Sequence, residues 1–219
     1  PGQSDELTVG EPTVYGAAYS VYVRAVRLAL AEKGVAYRLV EVDVFAPGGP
    51  PTEHLARHPF GKIPAFEHDG FHLYEAGAIT RYVDEAFPGP PLQPADLHAR
   101  ARMNQAISVQ DGYVYRDLVW GIYVERVEAP RRGRAPDEAR IARLIPKAET
   151  CLAALDAILG DGPWLAGPHL SLADLHAAPM FDLFLRTPEG AELLPRHARL
   201  AAWWRAVAAR ASMASTATS

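Results

Sequence analysis

Apolar positions along the chain follow two patterns, and the change between them falls at the proline-rich residues 88–94. Before it, short β-prone runs alternate with helical stripes. Thr13-Val14-Tyr15 is a strand closed by Gly16. After Ser20, the positions Val23, Val26 and Leu30 line one helical face as far as Glu32-Lys33-Gly34, where glycine suits a C-cap. Residues 37–42 form a second strand whose imperfect alternation suits partial burial. Pro47-Gly48-Gly49-Pro50-Pro51 breaks the chain into a loop, and a short helix follows at Thr52–Arg57. Ile63-Pro64-Ala65-Phe66, a turn at Asp69-Gly70 and Leu73-Tyr74 read as a hairpin. A helix then begins after Glu75, with Ile79, Tyr82, Val83 and Ala86 on its apolar face. The order βαβ followed by αββα predicts a four-stranded mixed sheet with helices against it.

Beyond residue 94 the strand signals vanish. Met103, Ile107, Val114, Leu118 and Ile122 line one long helix, and Ile141, Leu144, Ala148, Leu152, Leu155 and Ile158 line another, which Pro146 should kink. Ser171 with Asp174 is a capping box, with Leu170 and Leu175 as its hydrophobic staple. Pro179 disturbs the helix that follows, and Phe181 and Phe184 continue its apolar face. A last helix over about residues 200–210 carries Trp203 and Trp204. The predicted division is a loose tail or cloning remnant at 1–11, an α/β domain at 12–87, a linker at 88–94, a helical domain at 95–211 and a tail at 212–219.

Composition narrows the function classes. With 219 residues, 49% hydrophobic and 22% charged, the chain has material for a substantial core. Its formal charge of −4 without blocks of like charge gives no sign of nucleic-acid binding, and Arg131-Arg132-Gly133-Arg134 reads as a solvated loop. No apolar run has the length of a membrane span and no leader pattern is visible, so a cytoplasmic protein is expected. The single Cys151 excludes an internal disulfide and a CxxC pair, and the eight histidines show no metal-ligand spacing.

The chemistry concentrates at residues 58–82. Pro64 at the head of an apolar strand suits a sheet edge, and a cis Ile63-Pro64 bond would turn the Ile63 main chain outward to pair with an extended, peptide-like ligand. Glu75, where the second hairpin strand gives way to a helix, suits a ligand ammonium, and the N–H groups of that helix suit a ligand carboxylate.

Three patches then carry a family resemblance over about residues 13–210. They are residues 20–34 with Val26-Arg27-Leu28-Ala29-Leu30-Ala31-Glu32-Lys33-Gly34, residues 58–82 with His58-Pro59-Phe60-Gly61-Lys62-Ile63-Pro64, and residues 166–175 with the capping box. The chain resembles the cytosolic glutathione transferases, of the serine type. The resemblance implies a thioredoxin-like N-terminal domain, an all-helical C-terminal domain, a homodimer and a detoxification-type activity. That activity uses glutathione as co-substrate, a small hydrophobic electrophile and no metal. It makes Ile63, before a cis Pro64, the main-chain partner of the cysteinyl unit, and Glu75 the partner of the γ-glutamyl ammonium. Ala76 faces the γ-glutamyl carboxylate and Lys62 the glycyl end. Ser20 would donate its hydroxyl to the sulfur, with Tyr15, Tyr19 and Tyr22 as alternatives; Ser20 also reads simply as a helix N-cap, and Tyr15 as a strand aromatic. Phe60 would plug the partner subunit or stand as an exposed loop aromatic. Tyr22, Tyr113, Tyr115 and Trp120, with Tyr123, would line an apolar substrate pocket or belong to the core.

Two departures from the family pattern stand out. Ala76 occupies a position where a serine or threonine usually binds the γ-glutamyl carboxylate, and residues 47–51 lack the basic side chains that several classes place there. Rival readings are a binding or regulatory protein that keeps the fold without the chemistry, and a glutathione-dependent isomerase or dehalogenase. A glutaredoxin-type reductase is the remotest, because no cysteine stands at the first helix start.

Overall fold

The computed structural model describes residues 10–217, which divide into two compact units, 10–90 and 91–217. Residues 1–9 and 218–219 of the predicted tails lie outside the described residues.

The first unit is built from β1 (Thr13–Tyr15), α1 (Val21–Glu32), β2 (Arg38–Val40), α2 (Thr52–Arg57), β3 (Ala65–His68), β4 (Phe71–Tyr74) and α3 (Ala76–Ala86). The sheet order is β2-β1-β3-β4, with β1 parallel to β2 and the other pairs antiparallel. This is the mixed sheet of a thioredoxin-like domain. β1 is buried along its whole length, as a central strand should be, whereas β4 is mostly exposed and forms an edge. Register pairs Tyr15 with Val40 on one side and with Ala65 on the other. Asp69 (φ 49°) and Gly70 (φ 77°) both take positive φ at the β3–β4 turn, the conformation for which an Asp-Gly pair is suited.

α1 starts at Ser20, whose Oγ accepts from the Val23 N–H at 3.4 Å, and it ends in a Schellman arrangement. There the Gly34 N–H donates to the Ala31 carbonyl and the Val35 N–H to that of Leu30, with Gly34 at φ 68°. A Gly34→Ala variant is expected to lose about 1 kcal/mol, because a Cβ disfavours this conformation even though the space around it is open. A lower denaturant midpoint at unchanged slope would register that loss. Lys33, which reads in the sequence as part of a helix end, is buried. Its ammonium donates to the Asp84 carboxylate (3.1 Å) and to the carbonyls of Asp84 (2.9 Å) and Pro90 (3.2 Å), tying the end of α1 to the end of α3.

The second unit is helical. α4 (Leu97–Val109) starts at Asp96, which caps the Ala99 N–H at 2.8 Å. It continues into a π-wound stretch, Gln110–Glu128, and a final turn, α5 (Ala129–Arg131). The predicted stripe Met103, Ile107, Val114, Leu118 and Ile122 is buried throughout. α6 (Glu138–Leu159) runs as one helix through Pro146, and α7 (Leu172–Phe184) as one helix through Pro179. After them come α8 (Pro188–Leu193), a 3₁₀ turn, α9 (Ala198–Ala208) and α10 (Ala211–Ser215). α10 lies where the sequence pattern gives only a tail, and its Met213 is buried. Leu92, inside the predicted linker, is buried too, and its carbonyl accepts from the Leu172 N–H at 2.9 Å.

At the start of α7 the capping box is formed, and Asp174 is completely buried. Its carboxylate accepts from the Leu165 N–H (2.8 Å), the Ser171 N–H (2.8 Å), the Ser171 hydroxyl (2.9 Å) and the Trp203 indole N–H (2.8 Å). One carboxylate therefore joins the 164–167 turn, the start of α7 and α9. Glu125, also buried, accepts from Arg134 (2.8 Å) and Arg140 (2.9 Å) and so closes the loop before α6. Among the described residues no helix is long and apolar enough to cross a membrane.

Candidate active site

The edge at β3 is held from below. The Ile63 side chain packs against the cluster of Tyr15, Val42 and Ala65, and the Ile63-Pro64 bond is cis. The Ile63 main chain makes no hydrogen bond among the described residues, so a donor and an acceptor stand open beside the sheet. Gly16 explains how this edge meets the start of α1. A Cβ at Gly16 would lie 2.4 Å from Val23 Cγ2 and 3.2 Å from Ile63 Cβ. Only a glycine lets the end of β1, the first turn of α1 and Ile63 converge this closely.

Ser20 stands at that first turn, half-buried. Its oxygen accepts the long bond from Val23, and its own O–H donates to nothing among the described residues. The tyrosines around it are differently placed. The buried Tyr15 donates its hydroxyl to Glu67 at 3.0 Å, and the Arg57 guanidinium lies over its ring at 4.3 Å. Tyr19 is exposed and donates to Asp43 at 2.8 Å; burial first, then Asp43, hold its hydroxyl well above the ordinary tyrosine range. Tyr22 is half-buried on α1.

Glu75 takes φ 71°, a left-handed conformation unusual for a residue with a side chain. It occupies the N-cap position of α3, yet its carboxylate makes no capping bond and its side chain is 65% exposed. The role of a simple helix cap is therefore unfilled. Ala76 follows as the first residue of α3 and is buried. Lys62 is exposed, with no carboxylate partner among the described residues, and its carbonyl accepts from His54 Nε2–H at 2.7 Å. Phe60 is 70% exposed, edge-on to Tyr74 and to His58 at 6.3 Å each.

Ser20, Lys62, Ile63, Glu75 and Ala76 thus all belong to the first unit, on elements anchored at one end of its sheet. Sequence reasoning passed over His54, His58 and Gly16. Only the four-residue spacing of the two histidines could be read from the sequence; that they are the only buried positions between Pro51 and Phe60 is set by the fold.

The aromatic candidates of the helical unit separate. Tyr113 (56%) and Trp120 (39%) are exposed, and Tyr115 meets Trp120 edge-on at 6.4 Å. Burial raises the Tyr115 hydroxyl above its ordinary value. Tyr123 is buried and donates to Glu128 at 2.8 Å, so it belongs to the core. A cleft of about 520 Å³ in this unit is lined instead by Asp117, Gly121 and Leu144 with Arg116, Arg143 and Lys147 among its cations. Cys151 is buried, and burial followed by Asp117 pushes its thiol up to about 11, which leaves it an inert filler. Among the described residues no group of three or more His, Cys, Asp or Glu is gathered to hold a metal.

A thioredoxin-like sheet with an open main-chain edge, followed by a helical unit, defines a class of proteins whose sheet edge can pair with an extended, peptide-like ligand. Comparison with known proteins narrows the class. The glutathione S-transferase N-terminal domain family matches residues 14–91 and the glutathione S-transferase C-terminal domain family matches residues 138–206. Glutathione S-transferase 4 of Zea mays is 34% identical over 197 residues, covering 90% of this chain and 87% of that protein. Glutathione S-transferase F10 of Arabidopsis thaliana is 32% identical over 91% of this chain and 93% of its own length. Among solved structures, glutathione transferase F7 from Populus trichocarpa superposes with a TM-score of 0.83 at 31% identity, covering 94% of this chain and 97% of that one. Glutathione S-transferase I from maize, in complex with an atrazine glutathione conjugate, has a TM-score of 0.84 at 28% identity, covering 94% and 96%. This chain belongs to the glutathione S-transferase family.

Proposed function

We infer that the chain, a glutathione transferase with glutathione as co-substrate, conjugates glutathione to a small hydrophobic electrophile at the edge formed by Ser20, Lys62, Ile63 and Glu75. The observation that carries this reading is Glu75. A carboxylate held in a left-handed backbone conformation, exposed and unused by its own helix, suits a ligand cation better than any structural role. Ile63 would pair through its N–H and C=O with the cysteinyl unit, Lys62 would meet the glycyl carboxylate, and the α3 N–H groups at Ala76 the γ-glutamyl carboxylate.

Ser20 is the proposed activator of the sulfur. A free thiol titrates near 8.5, so lowering it by about two units requires about 2.7 kcal/mol of thiolate stabilisation. A hydroxyl donating to an anion contributes about 1.5–3 kcal/mol, and the start of α1 adds about 0.3–1 kcal/mol. The thiol proton leaves to solvent, and the thiolate then forms its bond to the electrophilic carbon without a general base. Tyr15 and Tyr19 already donate their hydroxyls to carboxylates, which favours Ser20 over them. Tyr113, Tyr115 and Trp120 are the proposed apolar contacts of the electrophile. The exposed Phe60 is the proposed plug of a homodimer, and the setting is the cytosol, in detoxification of electrophiles.

Ala76 supplies the test. Without a hydroxyl there, one charge-assisted bond to the γ-glutamyl carboxylate is missing, so an Ala76→Ser variant is expected to bind glutathione about tenfold or more tighter in a calorimetric titration. Absence of binding to the unmodified chain at millimolar glutathione, or an unchanged affinity in the variant, would count against this placement.

A further inference from the structure

Two buried imidazoles stand under the proposed glutathione edge. His54 holds the Lys62 carbonyl, and its Nδ1 is buried without a hydrogen-bond partner. His58, at the end of α2, is 1% exposed, and its Nδ1 is likewise without a partner. Its Nε2 lies 3.9 Å from Glu75 Oε1, too far for a hydrogen bond and close enough for a charge to be felt. Buried polar atoms left unpaired on this scale ask for an explanation beyond packing.

The groups facing His58 come from each element packed against it. His54 stands at 6.3 Å on α2, Phe60 at 6.3 Å in the following loop, and Tyr74 at 4.7 Å on β4. Lys62 and Glu75 act on it as charges of opposite sign. Burial holds the imidazole below the ordinary histidine value and Glu75 pulls the other way, while His54 and Lys62 add smaller contributions in the direction of burial. At neutral pH His58 is therefore neutral, and the Glu75 carboxylate is unclaimed by it.

We propose that His58 is a positioning residue for Glu75: neutral, it leaves the carboxylate to the ligand ammonium, and protonated, it competes with that ammonium for the same carboxylate. This rests on the reading of Glu75 as the ammonium partner. Two cations then share one anion, so ligand binding and proton uptake by His58 oppose each other by equal factors. Affinity for glutathione is full above the His58 titration and falls as the pH drops through it, below the ordinary histidine value of about 6.5. The expected loss is about fivefold, which is what two unit charges about 4 Å apart amount to in water-like surroundings.

Calorimetric affinities for S-methylglutathione, whose blocked sulfur cannot titrate, at steps from pH 7 down to pH 4.5 test this on the unmodified chain and on His58→Asn and His58→Gln. The unmodified chain should weaken about fivefold, and each variant should change by less than about twofold. The S-methylated analogue lacking the γ-glutamyl amine should bind the unmodified chain with no such pH dependence, a readout that needs no folded variant. Equal affinity of the unmodified chain across that pH range, the same dependence retained in both His58 variants, or the same dependence for the amine-free analogue would overturn the role of His58. A Glu75→Gln variant that binds glutathione at pH 7 as tightly as the unmodified chain would instead remove the Glu75 reading itself, and the His58 role with it.

Discussion

Replacing Asp174 by alanine is expected to remove about 4 kcal/mol or more of stability, enough to leave much of the chain unfolded at physiological temperature. The carboxylate is completely buried and accepts four hydrogen bonds, from Leu165, Ser171 twice and Trp203. Removing it strands four buried donors, and each unpaired donor costs about 1–3 kcal/mol when the surroundings cannot relax. The donors belong to a turn, to the start of α7 and to α9, so their relaxation would have to be concerted. Asp174→Asn keeps one carbonyl acceptor and should lose about half as much. Thermal unfolding of both variants separates the cases, since a cap worth only its helix would cost about 1 kcal/mol in either.

The second large effect falls on catalysis. Ser20→Ala is expected to lower kcat/KM by between about tenfold and about a hundredfold, the worth of one hydrogen bond to an anion, with about a fourfold loss of glutathione affinity at pH 7 as the linked cost of the raised thiol pKa. The variant also loses a helix cap, which alone costs about 1 kcal/mol of stability and explains nothing about rate. Ser20→Asp separates the two roles. An aspartate caps the α1 N–H groups as well as serine does, but as an anion it cannot donate to a thiolate and repels it. Activity lost in both variants, with stability kept in Ser20→Asp, assigns the hydroxyl to the sulfur. Activity retained in Ser20→Asp would leave Ser20 as a cap only.

Much of the fold is legible in residue pattern because the relevant forces are local. The Thr52–Arg57 helix, the Asp69-Gly70 turn and the Ser171–Asp174 capping box are each written within about six residues or fewer. The stripe from Met103 to Ile122 announces a buried helix face, but the spacing of four from Val114 to Ile122 fits a π winding as well as an α one, so the change of winding at Gln110 leaves no mark. α10 escapes for the opposite reason. Its residues are small, and a single Met213 makes no periodic stripe.

The candidate site divides in the same way. Ser20, Ile63, Pro64 and Glu75 are conspicuous from residue type and from their places at strand and helix ends. The left-handed φ of Glu75 leaves no mark in residue type, and the commitment of the Tyr15 and Tyr19 hydroxyls to Glu67 and Asp43 and the approach of His58 to Glu75 are set by contacts distant in sequence. Lys33 is similar: a helix-ending lysine is ordinary, and only its three acceptors show why it can be buried.

The role proposed for Ser20 is to lower the pKa of the glutathione thiol bound beside Ile63 and Glu75. Following thiolate absorption of the chain saturated with glutathione across pH tests it most directly, in the unmodified chain and in Ser20→Ala. The expected result is a thiol titrating about two units below the free value near 8.5 in the unmodified chain and most of the way back toward it in the variant. A bound thiol that titrates as it does free in solution, or equally low in both proteins, would contradict it.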